Sequence, residues 1–221
     1  EKTNTGDSDG KIIEKKAFTQ ANTERCESIL KSFIGETEQM PPMFSAIKVD
    51  GVRLYKQARK GLIIPRKKRI INIHNIYLKN LFFDSMELVI HCGKGTYIRS
   101  LIEDIAAKLE TFAHVKKLRR TSIDVIKNHK LITLESLESE YNYNRLIEKF
   151  LLPIDVAIES LPKLSFTFKE TNKFRQGQRI KFALNGDFKS EKVRVYDLDD
   201  DLIGLGVIDN DGIIQPTRIF N

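Results

Sequence analysis

Along the chain, Met86, Leu88, Ile90 and Cys92 alternate over seven residues, which predicts a half-buried strand. Gly93 and Gly95 break it. Ile98, Leu101, Ile102, Ile105 and Leu109 then recur at helical spacing and predict a helix from about Tyr97 to Leu109. Upstream, Ile71 and Ile73 alternate with polar neighbours in another strand. Ile29, Leu30 and Phe33 stripe a helix that starts near Thr23 and stops at Gly35. Residues 3–10 are small and polar and predict a loop, and Pro41-Pro42 an extended backbone. A short helical stretch around Leu54 to Arg59 lies between Gly51 and Gly61. Beyond these, a helix is predicted from Leu134 to Phe150, and Leu152-Pro153 and Leu161-Pro162 mark a boundary. Short apolar runs around Val193, Val195, Leu205, Val207, Ile213 and Phe220 follow, with Asp211-Gly212 as a hairpin signal. The expected fold class is α+β: a domain over 1–155 and a small β domain over 160–221.

Composition narrows the class. With 41% hydrophobic and 30% charged residues among 221, the chain can build a core and is not intrinsically disordered. No apolar run approaches the ~18 residues of a membrane helix. Cys26 and Cys92 lack metal-ligand or disulfide spacing, and two reduced thiols in a cytoplasmic protein is the expectation. His74, His91, His114 and His129 show no ligand spacing, so no metal is expected, and His91 should be exposed. Glu103 and Asp104 are adjacent and point about 100° apart on a helix, which leaves a nuclease reading without a site. The chain starts at Glu1 rather than Met, which reads as a start inside a longer gene product or after a processing site.

Charge adds a function class. The net charge is +7, and the segment from Lys48 to Ile70 holds nine basic residues against Asp50 alone. That segment carries +8 and leaves the rest of the chain at −1. Its Lys48, Arg53, Arg59 and Arg69 are interleaved with Tyr55, a pattern suited to phosphate contacts beside a base-stacking ring. Lys116, Lys117, Arg119 and Arg120 form a second cluster. A third, Lys169 to Lys181, fits a solvated face as well as a binding face. The strand, glycine turn and helix place Lys94 and Arg99 at a junction of the kind that faces clefts.

Three stretches, QMPPMFSAIKVDGVRLYKQAR (39–59), KGTYIRSL (94–101) and AHVKKLRRT (113–121), closely resemble in order and spacing the bacterial TruB-type tRNA pseudouridine synthases. The opening TNTGDSDG and the closing GLGVIDNDGIIQPTRIF resemble that family's loop and the end of its small RNA-binding domain, so the resemblance spans essentially the whole chain. It implies a mixed or antiparallel sheet catalytic domain of pseudouridine synthase type followed by a PUA-like β domain. It also implies a cofactor-free, metal-free, monomeric cytoplasmic isomerase whose partner is the tRNA T-arm. The T-loop uridine at tRNA position 55 would be flipped out, and an aspartate would assist cleavage of its glycosidic bond.

By the same resemblance, Arg99 pairs with the nucleophilic aspartate, Tyr97 and Leu118 line the uracil pocket, and residues 33–69 form an RNA-gripping insertion. Lys48, Arg53, Tyr55, Arg59, Arg69, Lys94, Arg119 and Arg120 are the expected RNA contacts. Without the resemblance, Arg99 would pair with Glu103 one turn on, Tyr97 and Leu118 would pack, and Asp7 and Asp9 would cap a turn. The family's Gly-x-Leu-Asp-x-x-Ala-Thr-Gly stretch, which carries the nucleophile, does not occur in these residues. It is expected upstream of Glu1, together with an active-site tyrosine, and the chain alone is expected to be inactive. Asn4 and Phe44 stand where the family usually has Asp and often has Tyr. The alternatives are a non-catalytic RNA-binding or RNA-folding protein, or a general single-strand binder.

Overall fold

The computed structural model describes residues 1–17, 22–123, 126, 131–142, 147–182 and 191–220. The chain forms two compact units, residues 1–119 and 120–221.

The first unit begins with a hairpin of β1 (Lys2–Thr3) and β2 (Ile12–Glu14). Helix α1 (Thr23–Lys31) starts where the Asn22 side chain accepts the Arg25 N–H at 2.8 Å. Then come β3 (Gly35–Gln39), the short hairpin β4 (Lys48–Val49) and β5 (Val52–Arg53), and α2 (Leu54–Ala58). The long strands β6 (Arg69–Leu81) and β7 (Met86–Cys92) precede α3 (Ile98–Lys108). β3, β6 and β7 form an antiparallel sheet in that order.

The alternation in β7 is there as predicted. β6 runs well beyond Ile73 through its pairing with β7, and strict alternation does not reveal this because its inward residues, Ile71, Ile73, Ile76, Leu78 and Leu81, are spaced two, three, two, three. Each extra residue coincides with a register shift, between Ile73 and Asn75 and between Leu78 and Asn80. β3 (GETEQ) has no apolar pattern and was not predicted; pairing with residues 69–73 makes it a strand. Cys26, Leu30 and Phe33 near α1, Ile71, Ile73 and Ile76 of β6, and Leu101, Ile105 and Leu109 at α3 share one core. Truncating one of the leucines or isoleucines to Ala should cost about 2–5 kcal/mol. His91 is exposed, as expected from its place in the alternation. Cys26 is buried and Cys92 half-buried, both free thiols, and burial pushes the Cys26 thiol up.

The second unit contains α4 (Leu134–Asn142) and 3₁₀ turns at Ile147–Phe150 and Ile154–Ile158. Of the helix expected over 134–150, Leu134–Asn142 is α-helix and Ile147–Phe150 is wound more tightly as 3₁₀. Residues 143–146 of that expectation, and His129, lie outside the described residues. A five-stranded sheet follows from β8 (Lys163–Ser165), α5 (Phe168–Arg175), β9 (Ile180–Lys181), β10 (Glu191–Tyr196), β11 (Leu202–Ile208) and β12 (Ile213–Ile219). Its order is β8-β10-β11-β12-β9. The Asp211-Gly212 hairpin forms as predicted, with the Asp209 carboxylate accepting the N–H groups of Asp211 and Ile213. Phe166, Phe174, Val193, Val195, Ile203, Ile208 and Ile214 are the heart of this unit's core. Gly204 admits no side chain, because a Cβ there would lie 2.3 Å from the Arg218 carbonyl. Among the described residues no helix is long and apolar enough to cross a membrane.

Candidate functional site

Gly93, Lys94 and Gly95 turn the chain from β7 into α3, and the Thr96 hydroxyl donates to the Gly93 carbonyl at 2.9 Å. Tyr97 caps the helix and Arg99 is its second residue. The Arg99 side chain is three-quarters buried and its guanidinium is held at three points. Nη1 donates to the Thr5 carbonyl at 2.8 Å and to Asp7 Oδ2 at 3.2 Å, and Nη2 donates to the Phe44 carbonyl at 2.8 Å. Two loops far apart in sequence, one carrying Thr5 and Asp7 and the other Phe44, thus meet on one cation.

Asp7 does more than the sequence reading gave it. It does cap its turn: Oδ1 accepts the Thr5 hydroxyl at 2.6 Å and the Asp9 N–H at 3.3 Å. Its other oxygen pairs with Arg99, so one carboxylate both folds the loop and aims the guanidinium. No ion pair joins Arg99 to Glu103 among the described residues, so the pairing one turn along the helix is not formed. Glu103 instead lies beside Gly6, and burial holds its carboxyl above the usual range despite the nearby positive charges of Lys2, Arg66 and Arg99. Burial likewise raises Asp104.

The loop needs glycine at position 6. Its φ is +76°, and a Cβ there would sit 3.2 Å from Arg99 Cβ and 3.3 Å from Glu103 Oε1. Backbone bonds from Ser8 N–H to the Val115 carbonyl and from Val115 N–H to the Gly6 carbonyl, both 3.0 Å, dock the loop against residues 115–118. Between them opens a cavity of about 420 Å³ with Asp7, Arg99, Lys116, Lys117 and Leu118 on its wall.

The expected site residues fall into groups. Arg99 and Leu118 share this cavity, and Leu118 is 64% exposed, so it is a wall residue and not the core residue its bare sequence suggested. Tyr97 is half-buried at the helix start but is not part of that wall. Lys94, Arg69, Arg119 and Arg120 are exposed. Lys48 and Arg53 face each other across the β4–β5 hairpin, whose Asp50 and Gly51 both have positive φ as a tight two-residue turn requires. The Arg59 guanidinium lies over the Tyr55 ring, 5.4 Å from its centre, on α2. Leu54, 1% exposed, anchors α2, and Tyr55 N–H donates to the Ser45 carbonyl. The basic hairpin and helix are thereby tied to the strand of chain that supplies the Phe44 carbonyl to Arg99. Lys116 and Lys117 also line the cavity; the sequence marked them only as part of a charge cluster. Among the described residues no group of three or more His, Cys, Asp or Glu side chains is placed to hold a metal ion.

The family described as TruB family pseudouridylate synthase (N terminal domain) matches residues 1–98. The tRNA pseudouridylate synthase B C-terminal domain matches 99–159, and the C-terminal region of pseudouridine synthase II TruB matches 162–220. The tRNA pseudouridine synthase B of Vibrio campbellii is 36% identical over 228 residues, which covers 99% of this chain and 72% of that protein. That of Buchnera aphidicola is 37% identical over 232 residues, covering 100% of this chain and 73% of that protein. A chain of a Cbf5-Nop10-Gar1 complex superposes with a TM-score of 0.68 at 24% identity, over 92% of this chain and 63% of its own length. A chain of an H/ACA ribonucleoprotein bound to a substrate RNA containing 2'-deoxyuridine gives 0.65 at 21%, over 92% and 62%. This chain therefore spans less than two thirds of those solved chains, and they share its fold. With matches running from one end to the other, the chain belongs to the TruB family of pseudouridylate synthases, a family of isomerases.

Proposed function

We propose that this protein isomerises the T-loop uridine of tRNA, at position 55, to pseudouridine, and that the cavity at Arg99 receives the flipped base. The observation that carries the reading is the three-point hold on Arg99 at the rim of a cavity shared with Leu118. A guanidinium has five N–H donors, and three hydrogen bonds leave others to steady a nucleophilic carboxylate against the protonation that burial under a bound base favours. Base flipping costs a few kcal/mol of unstacking, which contacts to the flipped base and the T-arm would offset. Leu118, on the cavity wall, is the candidate contact to the uracil, and Tyr97, outside that wall at the helix start, is a candidate only through the family pattern. The exposed basic residues Lys48, Arg53, Arg59, Arg69, Lys94, Arg119 and Arg120, with Tyr55, are the candidate contacts to the RNA.

The test uses tRNA transcripts tritiated at uridine C5, because isomerisation releases that hydrogen to water. The nucleophile-bearing stretch is not among these 221 residues, so the product of the whole reading frame is assayed beside the chain. The whole product should release tritium only with an intact T-arm. Arg99→Lys, which cannot present a planar fork, should lower the rate by about 10²-fold or more. A wild-type product that binds the T-arm tightly but releases no tritium would instead favour a non-catalytic RNA-binding role.

A further inference from the structure

We infer that Gln39 is a positioning residue for the uridine site, acting through the main chain of Tyr97. The inference rests on the function proposed above. Gln39 ends β3, where its backbone pairs with Arg69, and the residue is 2% exposed. The carboxamide bonds Tyr97 twice: Tyr97 N–H donates to Oε1 at 2.8 Å, and Nε2 donates to the Tyr97 carbonyl at 3.1 Å. A side chain 58 positions away thus imitates one rung of a sheet against the N-cap residue of α3.

The place of this clamp gives it a task beyond packing. Tyr97 has no side-chain cap bond of its own, so Gln39 fixes the point from which Tyr97 and, two residues later, Arg99 leave the backbone. The chain leaving Gln39 is fastened to the same helix end. Met40 accepts from the Ser100 hydroxyl at 3.0 Å, and Phe44 accepts from Arg99. Arg66 donates to Pro41 at 2.8 Å. The clamp therefore couples the sheet, the helix start and the segment leading to the basic hairpin. An asparagine would be one methylene too short to reach both main-chain groups, and a methionine would fill the space without bonding either.

The test compares Gln39→Met and Gln39→Asn with wild type in the whole gene product. It reads the single-turnover tritium-release rate at saturating tRNA and, separately, the affinity for tRNA. Both variants should isomerise about 10- to 100-fold more slowly, with affinity within about threefold, because misplacement of about 1 Å acts on the reacting geometry and not on RNA contacts. Ile76→Val, a core change away from the site, serves as the stability control and should keep the wild-type rate. In this 221-residue chain, exchange of the Tyr97 amide should rise at least about tenfold in Gln39→Met while β6 amides stay protected. Unchanged Tyr97 exchange, a wild-type rate in Gln39→Met, or an equal rate loss in Ile76→Val overturns the inference. A wild-type protein that releases no tritium overturns the proposed function, and the exchange measurement still decides whether Gln39 holds the helix start.

Discussion

Replacing Asp7 by Asn keeps the shape of the side chain and removes its charge, so it isolates the pairing with Arg99. Oδ1 of the amide can still accept the Thr5 hydroxyl and the Asp9 N–H. The amide nitrogen then falls where Oδ2 met Nη1 at 3.2 Å and sets donor against donor. Rotating the amide would turn its nitrogen toward the Asp9 N–H instead. Arg99 and Asp7 side chains are 24% and 30% exposed, between a surface pair, worth up to about 1 kcal/mol, and a buried one, worth about 3–5 kcal/mol to break. A coupling of about 1–2 kcal/mol is therefore expected. It is measured by a double-mutant cycle of Asp7→Asn, Arg99→Met and the pair. The two compact units make a single whole-chain unfolding transition ambiguous, so the stability of residues 1–119 should be followed by hydrogen exchange at the buried β6 amides. Free energies that add to within about 0.5 kcal/mol would refute the claim that Asp7 aims Arg99.

Three further outcomes are expected. Gly6→Ala should destabilise the first unit by about 1–2 kcal/mol from its left-handed backbone alone, and the contact with Arg99 Cβ should add to this; wild-type exchange in β6 would contradict the packing described. Burial raises the Glu103 carboxyl, so the folded chain favours its protonated form. That contribution is complete below the ordinary carboxylate pKa of ~4.3 and is lost as pH rises through the raised value. Glu103→Gln should accordingly gain stability relative to wild type as pH rises from 4 to 7, with no advantage at pH 4; a difference independent of pH would refute this. Changing Lys48, Arg53 and Arg59 together to Gln should weaken T-arm binding and flatten its salt dependence by roughly 0.7–0.9 in log–log slope per lost contact. An unchanged slope would remove that hairpin and helix from the RNA interface.

The amino-acid order by itself determined what depends on near neighbours. The alternation of β7, the stripe of α3, the Asp211-Gly212 hairpin and the KGTYIR junction are all set by side-chain periodicity and turn chemistry within a few residues. The motifs also made the family legible, because their order along the chain survives without any knowledge of the fold. Tertiary structure decided the rest. β3 has no apolar pattern and is a strand only because β6 supplies its hydrogen-bond partners. β6 hides its length from a strict two-residue count because two register shifts reset its faces. The partner of Arg99 lies 92 residues away and the clamp on Tyr97 58 residues away. Neither separation leaves a local trace, since a carboxylate that caps its own turn and a glutamine that ends a polar strand look ordinary until folding brings a cation or an open main-chain group within bonding distance.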